Sequence, residues 1–235
     1  MESIITQASS YAASIDRVIM IIFVTVTIWF LLGQYVFFKF IFKYSRKNNP
    51  RAGYVTGETH EDTKWVHRAH YSVLVCDVLI IVFSMMTWYQ VKQDLPKPES
   101  TIRILGQQWA WKFTHPGPDN QLDTADDIVT IDELHVKLGT TYHFKLEAKD
   151  VLHSFSVPVF RLKQDAIPGR VITGWFKPTK TGEYDIQCAE MCGIGHGIMG
   201  ARIFIDTAEQ HAEWIQKNAP SVSSTTAQVN SQLAK

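Results

Sequence analysis

The sequence predicts a membrane-bound protein made of an α-helical hairpin with two transmembrane helices, followed by an all-β domain. Residues 18–42 and 71–91 are apolar runs that contain a single charged side chain each. Both runs are long enough to cross the hydrocarbon core of a bilayer, which takes about 20 residues in a helix. Beyond Pro96 the chain changes to short segments of alternating polarity, separated by Gly, Pro or Asp, and this pattern is typical of strands.

Basic residues set the expected orientation of the hairpin. The segment before the first helix has one basic residue, Arg17. The connection between the helices and its margins have seven, namely Lys39, Lys43, Arg46, Lys47, Arg51, Lys64 and Arg68. Since basic loops stay on the cytoplasmic side, we expect the connection inside and both chain ends outside. The first helix lacks the basic n-region and the cleavage pattern of a signal peptide, and we interpret it as a retained anchor.

The chain therefore divides into six predicted segments. They are an external N-terminal segment (1–17), a first transmembrane helix (18–42), a cytoplasmic loop (43–70), a second transmembrane helix (71–91), an exported domain (92–220) and a mobile tail (221–235). The strands predicted in the exported domain are Thr101–Phe113, Val129–Leu138, Tyr142–Ala148, Val171–Phe176, Glu183–Gln187 and Ala201–Ile205. Several short strands at this spacing predict a sandwich or barrel. Thr207 and Gln210 form a capping-box pattern, which predicts a short helix ending near Lys217.

The residues richest in chemistry lie near the end of this domain. Cys188, Cys192, His196 and Met199 fall within twelve residues, among several glycines that disfavour a helix. We expect a loop whose side chains converge on one point. Thiols, imidazole and thioether together favour copper over structural zinc, which seldom takes methionine. The alternative is a disulfide between the two cysteines, with the other two side chains merely packed beside it.

A histidine upstream, His153, completes a recognisable set of motifs. The chain reads Cys-x-Glu-x-Cys-Gly-x-x-His-x-x-Met from residue 188, preceded by Asp-Val-Leu-His-Ser-Phe-x-Val-Pro from residue 150 and Asp-Ala-Ile-Pro-Gly-Arg from residue 165. These motifs resemble those of subunit II of the haem–copper cytochrome c oxidases. The resemblance implies a cupredoxin-like Greek-key barrel and a dinuclear copper centre called CuA.

The resemblance also implies a role for each ligand residue. Cys188 and Cys192 would bridge two copper ions through their thiolates, while His153 and His196 would each cap one of them. Met199 would be a weak axial ligand. Glu190 would offer its backbone carbonyl to copper, leaving its carboxylate for a magnesium ion shared with subunit I.

Trp109 is the candidate for the point at which electrons enter. Period-two alternation places Trp109, Trp111 and Phe113 on one face of a predicted strand, which by itself favours core packing. In the family, the first tryptophan of such an aromatic segment receives electrons from cytochrome c. Trp109 occupies that position.

Other polar residues leave alternatives open. Asp77 lies inside the second span, where a carboxyl group is a functional candidate by default or else faces a neighbouring helix. Glu61, Asp62 and His67 compete for the place of the glutamate that admits protons in the family. The acidic run 119–127 could bind calcium, but it lacks the glycine and terminal glutamate of an EF-hand loop, and we interpret it as a solvated insertion.

The resemblance implies a subunit of a proton-pumping respiratory oxidase, an oxidoreductase and translocase, which is not catalytically complete alone. Its expected partners are subunit I, which carries the haems, subunit III, a c-type cytochrome and the lipid bilayer; no nucleic acid is expected. The expected location is a bacterial-type inner membrane, with both termini and the CuA domain on the periplasmic side. The alternatives are a quinol oxidase subunit, which lacks copper ligands, a nitrous-oxide reductase domain, which belongs to a longer soluble enzyme, and a copper-delivery protein with an open site.

Overall fold

The computed structural model describes residues 5–51 and 53–220, and the chain divides into two units. One unit is residues 14–93, and the other joins the described residues 5–13 to residues 94–220. The tail predicted to be mobile, 221–235, lies outside the described residues.

The first unit contains two long helices, as the apolar runs predict. Helix α1 is Ala12–Lys43, and helix α2 is His60–Trp88, continued by a π-helical turn at Tyr89–Gln93. Both are long and apolar enough to cross a membrane, and their apolar side chains are largely exposed. Helix α2 begins well before residue 71, because Thr59 caps it by accepting a hydrogen bond from the Asp62 N–H at 3.2 Å. Residues 60–70, expected to be part of a loop, are therefore helical.

The second unit is built from ten strands and a short helix. The strands are β1 (Ser100–Gln107), β2 (Ala110–His115), β3 (Ile128–Ile131), β4 (Glu133–Lys137), β5 (Tyr142–Ala148), β6 (His153–Val157), β7 (Leu162–Ala166), β8 (Ile172–Phe176), β9 (Gly182–Cys188) and β10 (Gly200–Asp206). The helix, α3, is Ala208–Asn218, and its predicted capping box between Thr207 and Gln210 is confirmed.

The strands form two five-stranded sheets whose inner faces make the core. Their orders are β3-β2-β1-β5-β8 and β4-β10-β9-β6-β7. Phe155 of β6 contacts rings of the opposite sheet, with centroid distances of 5.5 Å to Trp111, 6.3 Å to Phe113 and 6.1 Å to Phe144. All four side chains are fully buried, so this aromatic layer contributes much of the hydrophobic stabilisation of the domain.

Two of the predicted strands are wrong in their bounds. The segment Thr101–Phe113 is a hairpin of β1 and β2, turned at Gln108 and Trp109, rather than one strand. The segment Val129–Leu138 is also broken, because Asp132 adopts a left-handed conformation with φ of 58°. Strands β3 and β4, on either side of Asp132, belong to different sheets. In both segments the apolar alternation changes phase at the break, from even to odd residue numbers in the first segment and from odd to even in the second.

The segment 5–11 packs against the strand domain. The Ala8 N–H donates to the carbonyl of Val159 and the Ala8 carbonyl accepts from Thr179 N–H, both at 2.9 Å. Tyr11 is almost completely buried, and its hydroxyl donates to the Trp175 carbonyl at 3.2 Å. The N-terminal segment is thus a structural part of the strand domain, although helices α1 and α2 separate the two in sequence.

Candidate metal centre

Strand pairing brings the segment that carries both cysteines next to the strand that begins at His153. Strand β9 ends at Cys188, which lies opposite Phe155 of β6 in the antiparallel register. The loop after Cys188 returns to β10, and the Cys188 N–H donates to the Met199 carbonyl at 3.1 Å. The Ala189 N–H donates to the Ser154 carbonyl at 3.0 Å, which ties the loop to the strand that starts at His153.

The two thiols lie at the middle of the cluster. Their sulfur atoms are 3.8 Å apart and both cysteines are free, so the alternative of a disulfide is not what the structure contains. The Nδ1 atom of His153 lies 3.9 Å from the Cys188 sulfur. The carbonyl oxygen of Glu190 lies 3.3 Å from the same sulfur.

The other two predicted ligands lie beside the second thiol. The Nδ1 atom of His196 and the thioether sulfur of Met199 are each 3.7 Å from the sulfur of Cys192. Together with the groups around Cys188, all six sequence-predicted ligand groups converge on one place. The donors surround the pair of sulfur atoms from both sides.

Most of the cluster is shielded from water, while His196 is half-buried. Cys188, Cys192 and Met199 are buried, and His153 is completely inaccessible. Burial raises the pKa of the Cys192 thiol to about 11, and the neighbouring Cys188 adds to this rise. A bound cation would compensate the cost of forming thiolates in such a place, because thiol ligands bind metals in the deprotonated form.

The kinds of donor atom in the cluster indicate which metal it fits. The cluster offers two thiols, two imidazoles, one thioether and one backbone carbonyl. Sulfur-rich sets of this kind select copper, and methionine is seldom a ligand of structural zinc. The residues present therefore fit copper.

A carboxylate orients the buried histidine, and the sequence pattern did not identify this role. Asp150 Oδ1 lies 2.9 Å from His153 Nε2, and Asp150 Oδ2 accepts the backbone N–H of Gln108 at 2.8 Å. Partial burial opposes ionisation of Asp150, but hydrogen bonds from Gln108, His153 and Val151 lower its pKa overall. Carboxylates in this position fix the ring of a ligand histidine. The spacing of Asp150 three residues before His153 is the only signal of it in the sequence.

Trp109 lies over the loop 189–199 between β9 and β10, which carries most of the candidate ligands and is called the ligand loop below. Its indole Nε1 donates to the Cys192 carbonyl at 3.3 Å. A Cβ atom built on Gly195 would lie 2.5 Å from the Trp109 ring, so glycine is required for this close approach. The Trp109 side chain remains 41% exposed, whereas Trp111 is fully buried. The prediction that both tryptophans share one strand face is wrong, because Trp109 lies in the turn between β1 and β2.

The Glu190 side chain points to a different partner from its carbonyl. Its carboxylate pairs with Lys163 Nζ at 3.0 Å, and this pair raises the pKa of Lys163. The carboxylate is partly exposed. The carbonyl and the carboxylate of Glu190 thus face different neighbours, the Cys188 sulfur and Lys163.

The remaining candidates lie on α2 or on the domain surface. Asp77 lines a groove with Thr25 and Trp29 of α1. Glu61, Asp62 and His67 are in the first turns of α2, where Glu61 pairs with Lys64 and His67 stacks on Tyr71. In the acidic run 119–127, Asp123 pairs with Arg103 at 2.9 Å, while Asp126 and Asp127 accept backbone N–H groups within the run.

Comparison with known proteins identifies the strand domain. Residues 100–206 match the family model described as "Cytochrome C oxidase subunit II, periplasmic domain". The chain is 33% identical to the alternative cytochrome c oxidase subunit 2 of Bradyrhizobium diazoefficiens, over 57% of this chain and 56% of that protein. It is 43% identical to the cytochrome c oxidase subunit 2 of Thermostichus vulcanus, over 52% of this chain and 34% of that protein. The chain thus spans about a third to just over half of the length of these relatives.

A solved structure is similar as well. The periplasmic domain of subunit II of cytochrome oxidase from Bradyrhizobium japonicum is 29% identical, with a TM-score of 0.48, over 53% of this chain and 96% of that one. The family match, the two sheets and the two apolar helices confirm the predicted fold class, a membrane helical hairpin with a cupredoxin-like domain. The strand domain, residues 100–206, therefore matches the periplasmic domain of the cytochrome c oxidase subunit II family.

Proposed function

We propose that this chain is the CuA subunit of a haem–copper respiratory oxidase. In this role it accepts electrons from a reduced c-type cytochrome and delivers them to the haem–copper, oxygen-reducing site of subunit I in a proton-pumping complex. The convergence of four further donor groups around two buried thiols carries the proposal. The chain supplies one part of an oxidoreductase and translocase, since the haems belong to the partner subunit.

The residues that would hold two copper ions are those predicted from the sequence. Cys188 and Cys192 lie at the centre. Around them lie four further donors: His153, His196, Met199 and the Glu190 carbonyl. When bound, the copper ions would supply reversible one-electron transfer. The surrounding protein excludes water, and Asp150 fixes the ring of His153, so the donors need little rearrangement when the charge of the centre changes.

Trp109 is positioned to connect the outside of the domain with the ligand loop. Its ring is partly exposed, yet its N–H donates to the carbonyl of the ligand residue Cys192. A donor protein that reaches the ring is therefore one hydrogen bond away from a ligand residue. We assign to Trp109 the point at which electrons enter.

The loop itself offers an apolar surface for the c-type cytochrome. Met191, Ile194 and Ile198 are 76%, 100% and 84% exposed, although they are close in sequence to the buried ligands. Exposed apolar side chains grouped in this way are typical of an interaction surface. Contact with the cytochrome next to Trp109 would bury them.

The remaining proposals concern helices α1 and α2 and the subunits around them. The two helices would cross the inner membrane, with the basic connection in the cytoplasm and both termini and the CuA domain in the periplasm. Subunits I and III would pack against the helices. Proton uptake is assigned to the first turns of α2, where Glu61, Asp62 and His67 remain alternatives. The Glu190 carboxylate would exchange Lys163 for a magnesium ion shared with subunit I in the assembled complex.

The first prediction concerns metal content. The full chain, purified in detergent and loaded with copper, is expected to bind two copper ions and show a purple mixed-valence spectrum. Elemental analysis and optical and electron paramagnetic resonance spectra measure this directly. Cys188→Ser or Cys192→Ser should abolish the spectrum, while Cys76→Ser, the same change in α2, should leave it intact. One copper or one zinc ion per chain would contradict the proposal.

A further inference from the structure

Gln108 joins the two segments that carry the ligand groups. It lies in the turn between β1 and β2, beside Trp109. Its backbone N–H donates to Asp150 Oδ2 at 2.8 Å, and the other oxygen of Asp150 lies 2.9 Å from His153 Nε2. This chain of hydrogen bonds links Gln108 to the strand that carries His153.

The side chain of Gln108 reaches the other segment. Its amide Nε2 donates to the carbonyl of Cys192 at 2.8 Å, the same oxygen that accepts the indole N–H of Trp109 at 3.3 Å. The contact is close, because a Cβ atom built on Gly193 would lie 3.0 Å from Gln108 Nε2. Gly193 has φ of 118°, a conformation that favours glycine.

Two N–H donors on one carbonyl have an electronic as well as a mechanical effect. They fix the direction of the Cys192 carbonyl, and with it the start of the loop that carries His196 and Met199. They also withdraw electron density from the peptide group of a ligand residue, which favours the more electron-rich, reduced state of a metal held there. Groups of this kind around a metal site tune both ligand geometry and redox behaviour.

We propose that Gln108 is a positioning residue that holds the Cys192 carbonyl and the Trp109 ring in register and raises the reduction potential of the centre. This inference rests on the proposed function for its redox part. Its mechanical part concerns the metal-free protein as well. Gln108 neither ligates the metal nor accepts the electron.

The test compares Gln108→Met and Gln108→Glu, which keep the length of the side chain but remove the N–H donor. Gln107→Met is the matched control, since Gln107 lies next to Gln108 and its side chain accepts from Lys149 instead. In the metal-free full chain, iodoacetamide should alkylate Cys192 about fivefold faster in both Gln108 variants, as expected for one lost hydrogen bond. Mass spectrometry assigns the rate to each cysteine.

The copper-loaded full chain gives the second readout. Both Gln108 variants should keep two copper ions but show a lower reduction potential, with electron transfer from reduced cytochrome c slowed by about 10–100-fold at unchanged Kd for the cytochrome. Gln107→Met should behave as the unmodified chain. Rates and potentials in the Gln108 variants that match the control would overturn the inference, because a side chain that only fills space is replaced well by Met or Glu.

The two proposals fail in different ways. An unmodified chain that takes up no copper overturns the proposed function, and the alkylation rates of Cys192 then support or overturn the role of Gln108 alone. Equal acceleration at Cys188 and Cys192 together with a lower unfolding temperature would indicate general loosening of the domain. That result would overturn a specific role for Gln108.

Discussion

Trp109 and Trp111 occupy opposite environments although one residue separates them. Trp111 is fully buried and its ring lies edge-on to Phe155, with the centroids 5.5 Å apart. Trp109 is 41% exposed and donates to the Cys192 carbonyl. The hairpin turn at Gln108 and Trp109 makes this difference, because it takes Trp109 out of the strand and places it over the ligand loop.

The two tryptophans should therefore fail differently when replaced by glutamine. Trp109→Gln should leave copper content, unfolding temperature and Kd for cytochrome c nearly unchanged and slow electron transfer by about 10–100-fold, because only the connection to Cys192 is lost. Trp111→Gln should lower the free energy of unfolding by at least about 3 kcal/mol, since it replaces a buried aromatic ring with an amide. Stopped-flow kinetics and thermal unfolding of the same samples separate the two effects. Loss of affinity alone in Trp109→Gln would return Trp109 to an ordinary surface residue.

The convergence of the candidate ligand residues could be predicted from the sequence because their types and spacing form a motif. The Gln108 and Asp150 contacts could not, because they arise when the β1–β2 turn and the loop after β9 pack together. Glutamine and aspartate are common in turns, so their residue types carry little information. From the sequence alone, Asp150 would be interpreted as a surface carboxylate. Its contact with the His153 ring is seen only in the fold.

Helix α3 is held to the sheets by aromatic side chains rather than by an aliphatic face. Its Trp214 stacks on His135 of β4 with ring centroids 4.4 Å apart, and contacts His115 of β2 edge-on at 4.9 Å. His211 of the same helix lies on the other side of Trp214, at 6.1 Å. Three histidines thus surround one tryptophan at the junction of the helix and both sheets.

Two of these histidines, His115 and His211, should make the domain sensitive to acid. Burial, assisted by the nearby His135 and His211, lowers the pKa of His115 from 6.5 to about 3. Burial also lowers the pKa of His211, against the attraction of Asp206 and together with the repulsion of Lys137. A depressed histidine pKa means that the stability is fully present above pH 6.5 and is lost as pH falls towards 3. Each such proton costs up to about 1.4 kcal/mol per pH unit.

Thermal unfolding between pH 7.5 and about 4.5 measures this loss of stability. His115→Gln should flatten the decline of the unfolding temperature below pH 6.5, because one buried group no longer has to take up a proton. The same substitution at His143, which bonds to the Pro96 carbonyl instead, is the control. An unchanged pH profile in His115→Gln would assign the acid sensitivity to other groups.

The sequence pattern predicts strand bounds well where a predicted segment forms a single strand. The prediction Tyr142–Ala148 agrees with β5, whose alternating burial is regular along its whole length. The breaks inside 101–113 and 129–138 lie at a hairpin turn and at the left-handed Asp132, and their local sign in the sequence is a change of phase in the apolar alternation. Strand β7, with the sequence Leu-Lys-Gln-Asp-Ala, forms only because β6 pairs with it. Periodicity thus indicates which residues are buried better than it indicates where strands begin and end.

At the scale of the whole chain, the N-terminal segment and the strand domain form one unit across the two helices. The chain leaves this unit at residue 13 and returns to it at residue 94. Since a segment that packs on a domain must be on the same side of a membrane, two spanning helices between them would cross it an even number of times. Which side that is stays a prediction, drawn from the basic loop.

The N-terminal segment should stabilise the copper-binding domain measurably. Tyr11 is 1% exposed, donates to the Trp175 carbonyl and packs edge-on against the Trp175 ring at 5.1 Å. Tyr11→Ala in the full chain should lower the free energy of unfolding of the strand domain by about 3–5 kcal/mol, the usual cost of deleting a buried aromatic ring. Tyr54→Ala, in the connection between the helices where the side chain is 91% exposed, should change it by less than about 0.5 kcal/mol. Loss of the copper spectrum on heating gives the unfolding temperature of the domain in the intact chain. Equal unfolding temperatures for both variants would mean that the segment rests on the domain without holding it.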